Sequence, residues 1–353
     1  MGFRDPFDWY VKEGLLKRIE KGRLSLYNYT DRCVFTGNWN FHTRLSRGLV
    51  LDADGSIVAR PFPKFFNLNE RPETRLEALP SETPELSDKL DGSLVIVFWN
   101  PETGEWDCCT RGSWDNDQVR SVKERWLPAM VRKGGMIPGR TYLLELVAPW
   151  NRIVILYSTE RLVLVGAVEN VSGADSSYAH LLETAVGLGV GVVVFRMRLV
   201  SDVDLEDSSI VNEEGFVARW PGGFRVKLKY AQYLQLHKIL TGLSTMGIWE
   251  SLASGKPISL ERVPDEFHRW FDAEQAKLRE KYRRVEDLAR FAYHDALPHY
   301  KDGSRKSFAD FVRGFEPTVR SCCFRMLDQR PYDDVIWKSI RPRGGATFTK
   351  DER

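Results

Sequence analysis

Cysteine is scarce in this chain, and its five copies are placed badly for the roles that cysteine most often plays. Cys33 stands alone, and the other four form the adjacent pairs Cys108-Cys109 and Cys322-Cys323. An odd count in adjacent pairs is no disulfide framework, and no Cys-x-x-Cys spacing suits zinc. Reduced thiols, and hence a cytoplasmic location, are the expectation. His294 and His299 are five apart with no cysteine set nearby, so they do not suggest a metal cluster. No run approaches the ~18 apolar residues of a membrane span, and the N-terminus lacks the apolar core of a signal peptide. Internal repeats and low-complexity tracts are missing too. So is a strong net charge: 51 Lys and Arg stand against 49 Asp and Glu, and no global field announces a polyanionic partner. The small basic surplus lies late, where residues 231–353 hold 22 basic against 18 acidic side chains.

What is present is ample apolar material, 42% of 353 residues, enough for two ordinary domains. Trp9, Val11, Leu15, Leu16 and Ile19 suit an amphipathic helix over 8–20. The stretch 23–44 reads as loop and irregular strand. Residues 48–60 read as a hairpin about Asp54-Gly55, and 94–99 with 105–110 as a second hairpin. Helices are expected at 116–131 and 177–187, and strands at 141–147, 153–157, 162–168, 191–197, 215–220 and 224–229. This pattern predicts an α+β domain of largely antiparallel sheets with flanking helices. After Lys229 the pattern turns helical, over 230–241, 265–295 and 304–328. In the second of these, Phe267, Trp270, Phe271, Leu278, Tyr282, Val285, Leu288 and Ala289 keep a three/four spacing. We therefore expect two domains, residues 1–243 and an all-helical 244–353.

Chemistry concentrates around Lys89-Leu90-Asp91-Gly92-Ser93, just ahead of the apolar run Leu94–Trp99. A lysine attacks phosphorus only after losing the proton it normally holds, with a pKa near ~10.4, and nearby cations or burial promote that loss. Nucleotidyl transfer also needs cations for a leaving pyrophosphate, carboxylates for a divalent metal and groups that grip the sugar. Lys227 and Lys229 alternate on one strand and so share a face. A solvated edge strand would explain them equally simply. Glu214 opens the preceding strand, where it could hold a metal or pair with a lysine. Glu145 lies in the otherwise apolar run Tyr142–Val147, an expensive place for a charge without a partner. Arg47, Lys64 in its stiff Pro-Phe-Pro-Lys-Phe-Phe loop, and Arg111 are phosphate-binding candidates that ordinary surface roles would also explain. Asp91 would position the loop or support Lys89. Gly92 would permit a close approach to nucleotide.

Lys-x-Asp-Gly alone occurs by chance, but the order Lys89, Glu145, Glu214, Lys227/Lys229 resembles the ordered motifs of the covalent nucleotidyltransferases: ATP-dependent DNA and RNA ligases and mRNA capping enzymes. Arg60–Glu70, the Asp-Gly-Ser ending, Pro149-Trp150-Asn151-Arg152-Ile153-Val154 and Lys227-Leu228-Lys229-Tyr230 look most like the tRNA-repair RNA ligases of T-even phages. The resemblance covers about residues 40–240. It implies an N-terminal nucleotidyltransferase domain of ATP-grasp-like ligase architecture and a helical domain reading RNA or tRNA. It implies that ATP adenylates Lys89 with Mg2+ (or Mn2+) as metal. It further implies that AMP passes to an RNA 5′-phosphate, and that a 3′-hydroxyl then displaces it. By motif position, Arg47, Lys64, Arg111, Lys227 and Lys229 would contact nucleotide and phosphates, together with Lys89, Asp91 and Gly92. Glu145 would serve on the ribose side and Glu214 at the metal. Arg111 stands where a lysine is expected. The implied partner is RNA with 5′-phosphate and 3′-hydroxyl ends, a broken tRNA among them, handled by a monomer in the cytoplasm (a host's, if phage-encoded). A DNA ligase or capping enzyme would carry a β-barrel after residue 245. An inactive RNA-binding descendant would keep the fold without the chemistry. The basic side chains of 269–290, Arg283 and Arg284 among them, alternate with acids and read first as a solvated face, second as an RNA surface.

Overall fold

Strand alternation decides the N-terminal architecture. In Leu94–Phe98, Val95 and Val97 face one core, while Ile96 and Phe98 face another. A strand that is apolar on both faces needs a layer on each side. The computed structural model, which describes residues 4–242, 244–258 and 265–342, supplies both. Its strands are β1 (Leu16–Lys21), β2 (Leu24–Tyr29), β3 (Arg47–Leu51), β4 (Ile57–Ala59), β5 (Phe66–Asn67), β6 (Glu85–Asp88) and β7 (Ser93–Asn100). They continue with β8 (Glu105–Thr110), β9 (Arg140–Val147), β10 (Arg161–Glu169), β11 (Gly191–Val192), β12 (Phe195–Met197), β13 (Gly215–Arg219) and β14 (Arg225–Lys229). The helices of this part are α1 (Arg4–Lys12), α2 (Asp31–Thr36), α3 (Phe41–Leu45), α4 (Asp117–Ser121), α5 (Leu127–Lys133) and α6 (Tyr178–Leu188).

Three sheets result: β1-β2-β3-β4, the central β11-β10-β9-β7-β8, and β12-β6-β13-β14-β5. Pairing is antiparallel except for β10 with β11 and β14 with β5. The Val95 face of the central sheet packs against Val119, Val122, Leu127, Leu181 and Ala185 of the helical layer. The Ile96 face packs against Leu24, Leu26, Val50 and Phe62. The chain is α+β with largely antiparallel sheets, as the pattern predicts.

Four expectations need correction. The helix at 8–20 stops at Lys12, because Gly14 turns the backbone at φ +70° and Leu16 to Lys21 then pair with β2. Residues 23–44 are regular after all: β2, then α2 capped by Thr30 and α3 capped by Asn40. Residues 153–157 form no strand; side chains rather than a ladder hold them. The single strand expected at 191–197 is two, β11 in the central sheet and β12 on β6.

The chain divides into two compact units, Met1–Leu234 and Gln235–Arg353, ahead of the expected 243/244 division and inside α7 (Ala231–Gly242). The second unit contains α8 (Thr245–Ser254), α9 (Asp265–Ala296), α10 (Arg305–Val312), α11 (Pro317–Leu327) and α12 (Asp333–Ser339). Ala289, Ala292 and Ala296 line one face of α9 against Phe308, Val312, Val319, Cys322, Cys323 and Ile336. Small residues there let the helices approach closely. Of the expected α9 stripe, Phe271, Leu278 and Ala289 are buried, whereas Leu288 is exposed; the side chains of Phe267 and Trp270 lie outside the described residues. On the basic face, Arg284 pairs with Glu280 and Arg290 with Glu286, one helical turn apart, as in a solvated surface. Among the described residues no helix is long and apolar enough to cross a membrane. All five cysteines are free and buried, and burial pushes the Cys108 thiol up to about 12, so it is no nucleophile.

Candidate active site

Lys89 sits on the four-residue connector between β6 of one sheet and β7 of another. Its backbone N–H donates to the Gly215 carbonyl at 2.9 Å, which ties the connector to the start of β13. Gly215 has φ +132°, and a Cβ there would lie 2.0 Å from the Leu228 carbonyl oxygen, so no larger residue fits. The residue before it, Glu214, is buried and faces two lysines. Its carboxylate accepts from Lys89 Nζ at 2.7 Å and from Lys229 Nζ at 2.8 Å. Three stretches distant in sequence thus meet at one carboxylate.

Gly92 and Asp91 shape the connector, each in its own way. A Cβ on Gly92 would lie 2.4 Å from the Leu146 carbonyl oxygen, so the close approach it permits is to β9. From that position its N–H donates to Glu145 Oε1 at 3.2 Å. Glu145 is opposite Leu94 in the β7–β9 ladder, which aims it at the lysine loop. Burial pushes its carboxyl up to about 7, and Glu214 pushes the same way, against Lys89, Arg47 and the Gly92 N–H.

Asp91 is 3% exposed, and its carboxylate is spent on the protein itself. Oδ2 accepts from the N–H groups of Val154 and Ile155 at 2.6 and 2.8 Å. Oδ1 accepts from the Tyr233 hydroxyl at 2.8 Å, and the Asp91 N–H donates to the Tyr157 hydroxyl at 3.0 Å. Asp91 is therefore a positioning residue, and its expected place among the nucleotide contacts is corrected. Sequence reasoning assigned no role to its partners Tyr157 and Tyr233, nor to Asn151. The Asn151 side chain takes donors from Ser93 and Gln118 and gives one to the Leu146 carbonyl, at 3.0, 2.9 and 2.6 Å. Asn151 and Tyr157 lie outside any strand or longer helix, where no periodicity marks a buried polar group.

The cations gather beside this carboxylate. Lys227, two residues from Lys229 on β14, is pushed down to about 6 by burial first and then by Lys64, Arg47, Lys89 and Lys229. Positive charge thus crowds Lys227, while Lys89 pairs with Glu214. Lys64 and Arg47 are likewise pushed down, by burial first and then by neighbouring cations, Arg111 among them. Arg47 and Lys227 flank the ring of Phe65, at 5.8 and 5.0 Å from its centroid. Arg111 donates to the Tyr29 hydroxyl at 3.0 Å. The structure thus brings together Arg47, Lys64, Lys89, Arg111, Glu145, Glu214, Lys227 and Lys229. Like charges gathered this closely and half-buried are costly unless an anion occupies them.

Comparison with known proteins shows the family. The family model for RNA ligase matches residues 45–233, more than half of the chain and the stretch that holds every residue of the cluster. A protein from Thermovibrio ammonificans named "Putative RNA ligase" is 31% identical over 236 residues, covering 59% of this chain and 58% of that protein. The chain thus matches little more than half the length of that relative. An RNA ligase of Rhodothermus phage RM378 is 22% identical over 326 residues, covering 72% of this chain and 73% of the relative. Among solved structures, an archaeal ATP-dependent RNA ligase shares the fold with a TM-score of 0.51 at 13% identity, covering 93% of this chain and 96% of that one. With its family model spanning the β3-to-α7 region in which the lysine, carboxylates and cations converge, the chain belongs to the RNA ligase family.

Proposed function

We propose that this protein is an ATP-dependent RNA ligase that works through AMP carried on Lys89. The observation that carries this reading is the convergence of Lys89 and Glu214 with the half-buried cations Arg47, Lys64 and Lys227. A cation cluster short of carboxylates suits a triphosphate. Lys89 Nζ attacks the α-phosphorus of ATP, forming a P–N bond as the bond to pyrophosphate breaks; the amine proton is lost. Arg47, Lys64 and Lys227 balance charge on the phosphates, with Arg111 beside them. Glu145, its carboxyl raised to about 7, is assigned to hold a ribose hydroxyl. AMP then passes to an RNA 5′-phosphate, and a 3′-hydroxyl displaces it to form the phosphodiester.

Glu214 is the residue that would hold a divalent ion. Among the described residues no group of three or more His, Cys, Asp or Glu side chains gathers as a metal site. That suits Mg2+, or Mn2+ as the alternative. Such hard ions keep waters and bind through one or two carboxylates plus substrate phosphates. Bound there, the ion would offset negative charge on the phosphates.

The helices among the described residues after 244 favour an RNA ligase over a DNA ligase or capping enzyme, which would place an oligonucleotide-binding barrel there. Among the described residues no strand follows Lys229. We assign this part the reading of the RNA substrate, with a broken tRNA loop as the natural one. The core test is transfer of label from α-32P-ATP to the protein with Mg2+. A covalent band from ATP and none from GTP is expected, and a GTP-dependent band or none at all would reject the proposal. Joining of a cleaved tRNA loop should then outpace that of a linear strand or a nicked duplex; equal rates would remove the tRNA assignment.

A further inference from the structure

A second group of cations lies beside the site and shares Lys64 with it, but its arginines, Arg44 and Arg71, have no part in the scheme above. Arg44 and Arg71 each place the guanidinium carbon 5.0 Å from the centroid of the Phe66 ring, and Lys64 places Nζ 4.9 Å from it. Phe66 itself is 2% exposed, so it is a fixed platform under three positive charges. Glu73 pairs with Arg44 at 2.6 Å, and the Arg71 guanidinium donates to the Gly37 carbonyl at 3.3 Å. Glu70, whose carboxylate acts on Lys64, already accepts from the Asn67 N–H at 2.8 Å. Arg44, Lys64 and Glu73 line a cleft with Phe66, Thr74 and Phe224.

Chain geometry separates this group from the Phe65 cations. Phe65 and Phe66 are consecutive at the entry to β5, where successive side chains take opposite sides. Arg47 and Lys227 flank Phe65; Arg44 and Arg71 attend Phe66. Lys64, two residues before Phe66, is common to both groups by its electrostatic neighbours. Aromatic rings continue outward from it. Trp39 lies edge-on to Phe66 at 5.5 Å, and Lys64 Nζ is 5.7 Å from the Trp39 ring. Phe41, 61% exposed, is three residues before Arg44 on α3 and so its neighbour on the helix surface. Cations that hold phosphates, interleaved with exposed rings that accept bases, are the chemistry of single-stranded nucleic-acid binding.

We propose that Arg44 and Arg71, over Phe66, form an anion subsite for a backbone phosphate of a single RNA strand, with Phe41 as a stacking face for an adjacent base. The choice of RNA as the polyanion rests on the RNA ligase reading; the phosphate chemistry does not. Fluorescence anisotropy of a labelled, 5′-phosphorylated single-stranded RNA oligonucleotide, titrated with the full chain over a series of KCl concentrations, tests it. Arg71→Gln is expected to raise Kd about five- to tenfold and to make the slope of log K against log salt shallower by about 0.7, the loss of one phosphate contact. Arg71→Lys should restore most of that slope. Glu73→Gln should tighten binding about twofold by freeing Arg44, a gain that misfolding would not produce. A Kd within twofold of wild type with an unchanged slope in Arg71→Gln would overturn the subsite. So would a loss of labelled-ATP binding equal to the loss of RNA binding, which would hand the cluster to the nucleotide. Because RNA binding is read without chemistry, a chain that fails to adenylate but loses RNA with Arg71→Gln refutes the proposed activity and leaves the subsite standing.

Discussion

Lys89→Ala is expected to abolish transfer of label from ATP to the protein, a fall of at least about 10⁴-fold, as for other enzymes deprived of their nucleophile. The loss is chemical rather than structural. The Lys89 side chain is 21% exposed, and the connector that carries it is held by its backbone bond to Gly215 and by the Asp91 and Gly92 contacts, which survive the substitution. Glu214 keeps Lys229 as a partner, so no buried carboxylate is stranded. The melting temperature should therefore stay close to that of the parent while the covalent band vanishes. Lys89→Arg should be equally inactive despite keeping the charge, because a guanidinium does not give up its proton. A label undiminished in either variant would remove Lys89 from the chemistry.

Lys227→Met should move activity and stability in opposite directions. Phosphates bound beside Lys227 would favour its protonated form, so that it contributes a cation to them, and loss of one such electrostatic contact costs about 10²–10³-fold in rate. Lys227 also sits among Lys64, Arg47, Lys89 and Lys229 with its pKa pushed down to about 6 in the fold. The unfolded chain, with the ordinary lysine value near ~10.4, binds the extra proton across that interval. Stability of the parent therefore rises with pH between about 6 and 10, by up to a few kcal/mol from this one group. Methionine of similar length removes the penalty. The variant's gain in melting temperature should be greatest at and below pH 6 and fade toward pH 10. Thermal melts across that range, beside adenylation rates at pH 7.5, check both signs. A variant less stable than the parent at pH 6 would show that Lys227 is not under the repulsion described.

Sequence periodicity revealed those parts of the fold that have periodicity. The β7–β8 hairpin, β9, β10, α6 and the helical second unit follow from apolar spacing and turn residues. The errors fall where tertiary contacts replace it. Leu15, Leu16 and Ile19 fit a helix as well as a strand, and pairing with β2 decides. Residues 153–157 look like a strand because they are apolar, yet their amides bond to Asp91 and Asn212 side chains. At the site, the ordered motif supplied the cluster that the fold assembles. It did not separate the residues facing the cavity from those holding them there. Gly92 and Asp91 belong to the motif, but one is small to clear β9 and the other is buried under three donors. Arg44 and Arg71 left no trace in the sequence, since two surface-type arginines 27 residues apart share nothing until Phe66 brings them together.

The Asp91 carboxylate also sets how the molecule breathes. Amides that resist exchange with deuterated solvent usually lie in helices and strands, where opening is cooperative. The amides of Val154 and Ile155 lie in neither, yet both end on a buried carboxylate. They should exchange as slowly as the central strands and lose that protection together in Asp91→Ala. A stretch that looks like a loose loop is then part of the most slowly opening region of the protein, and two of its amides are held by a single side chain two residues after the lysine.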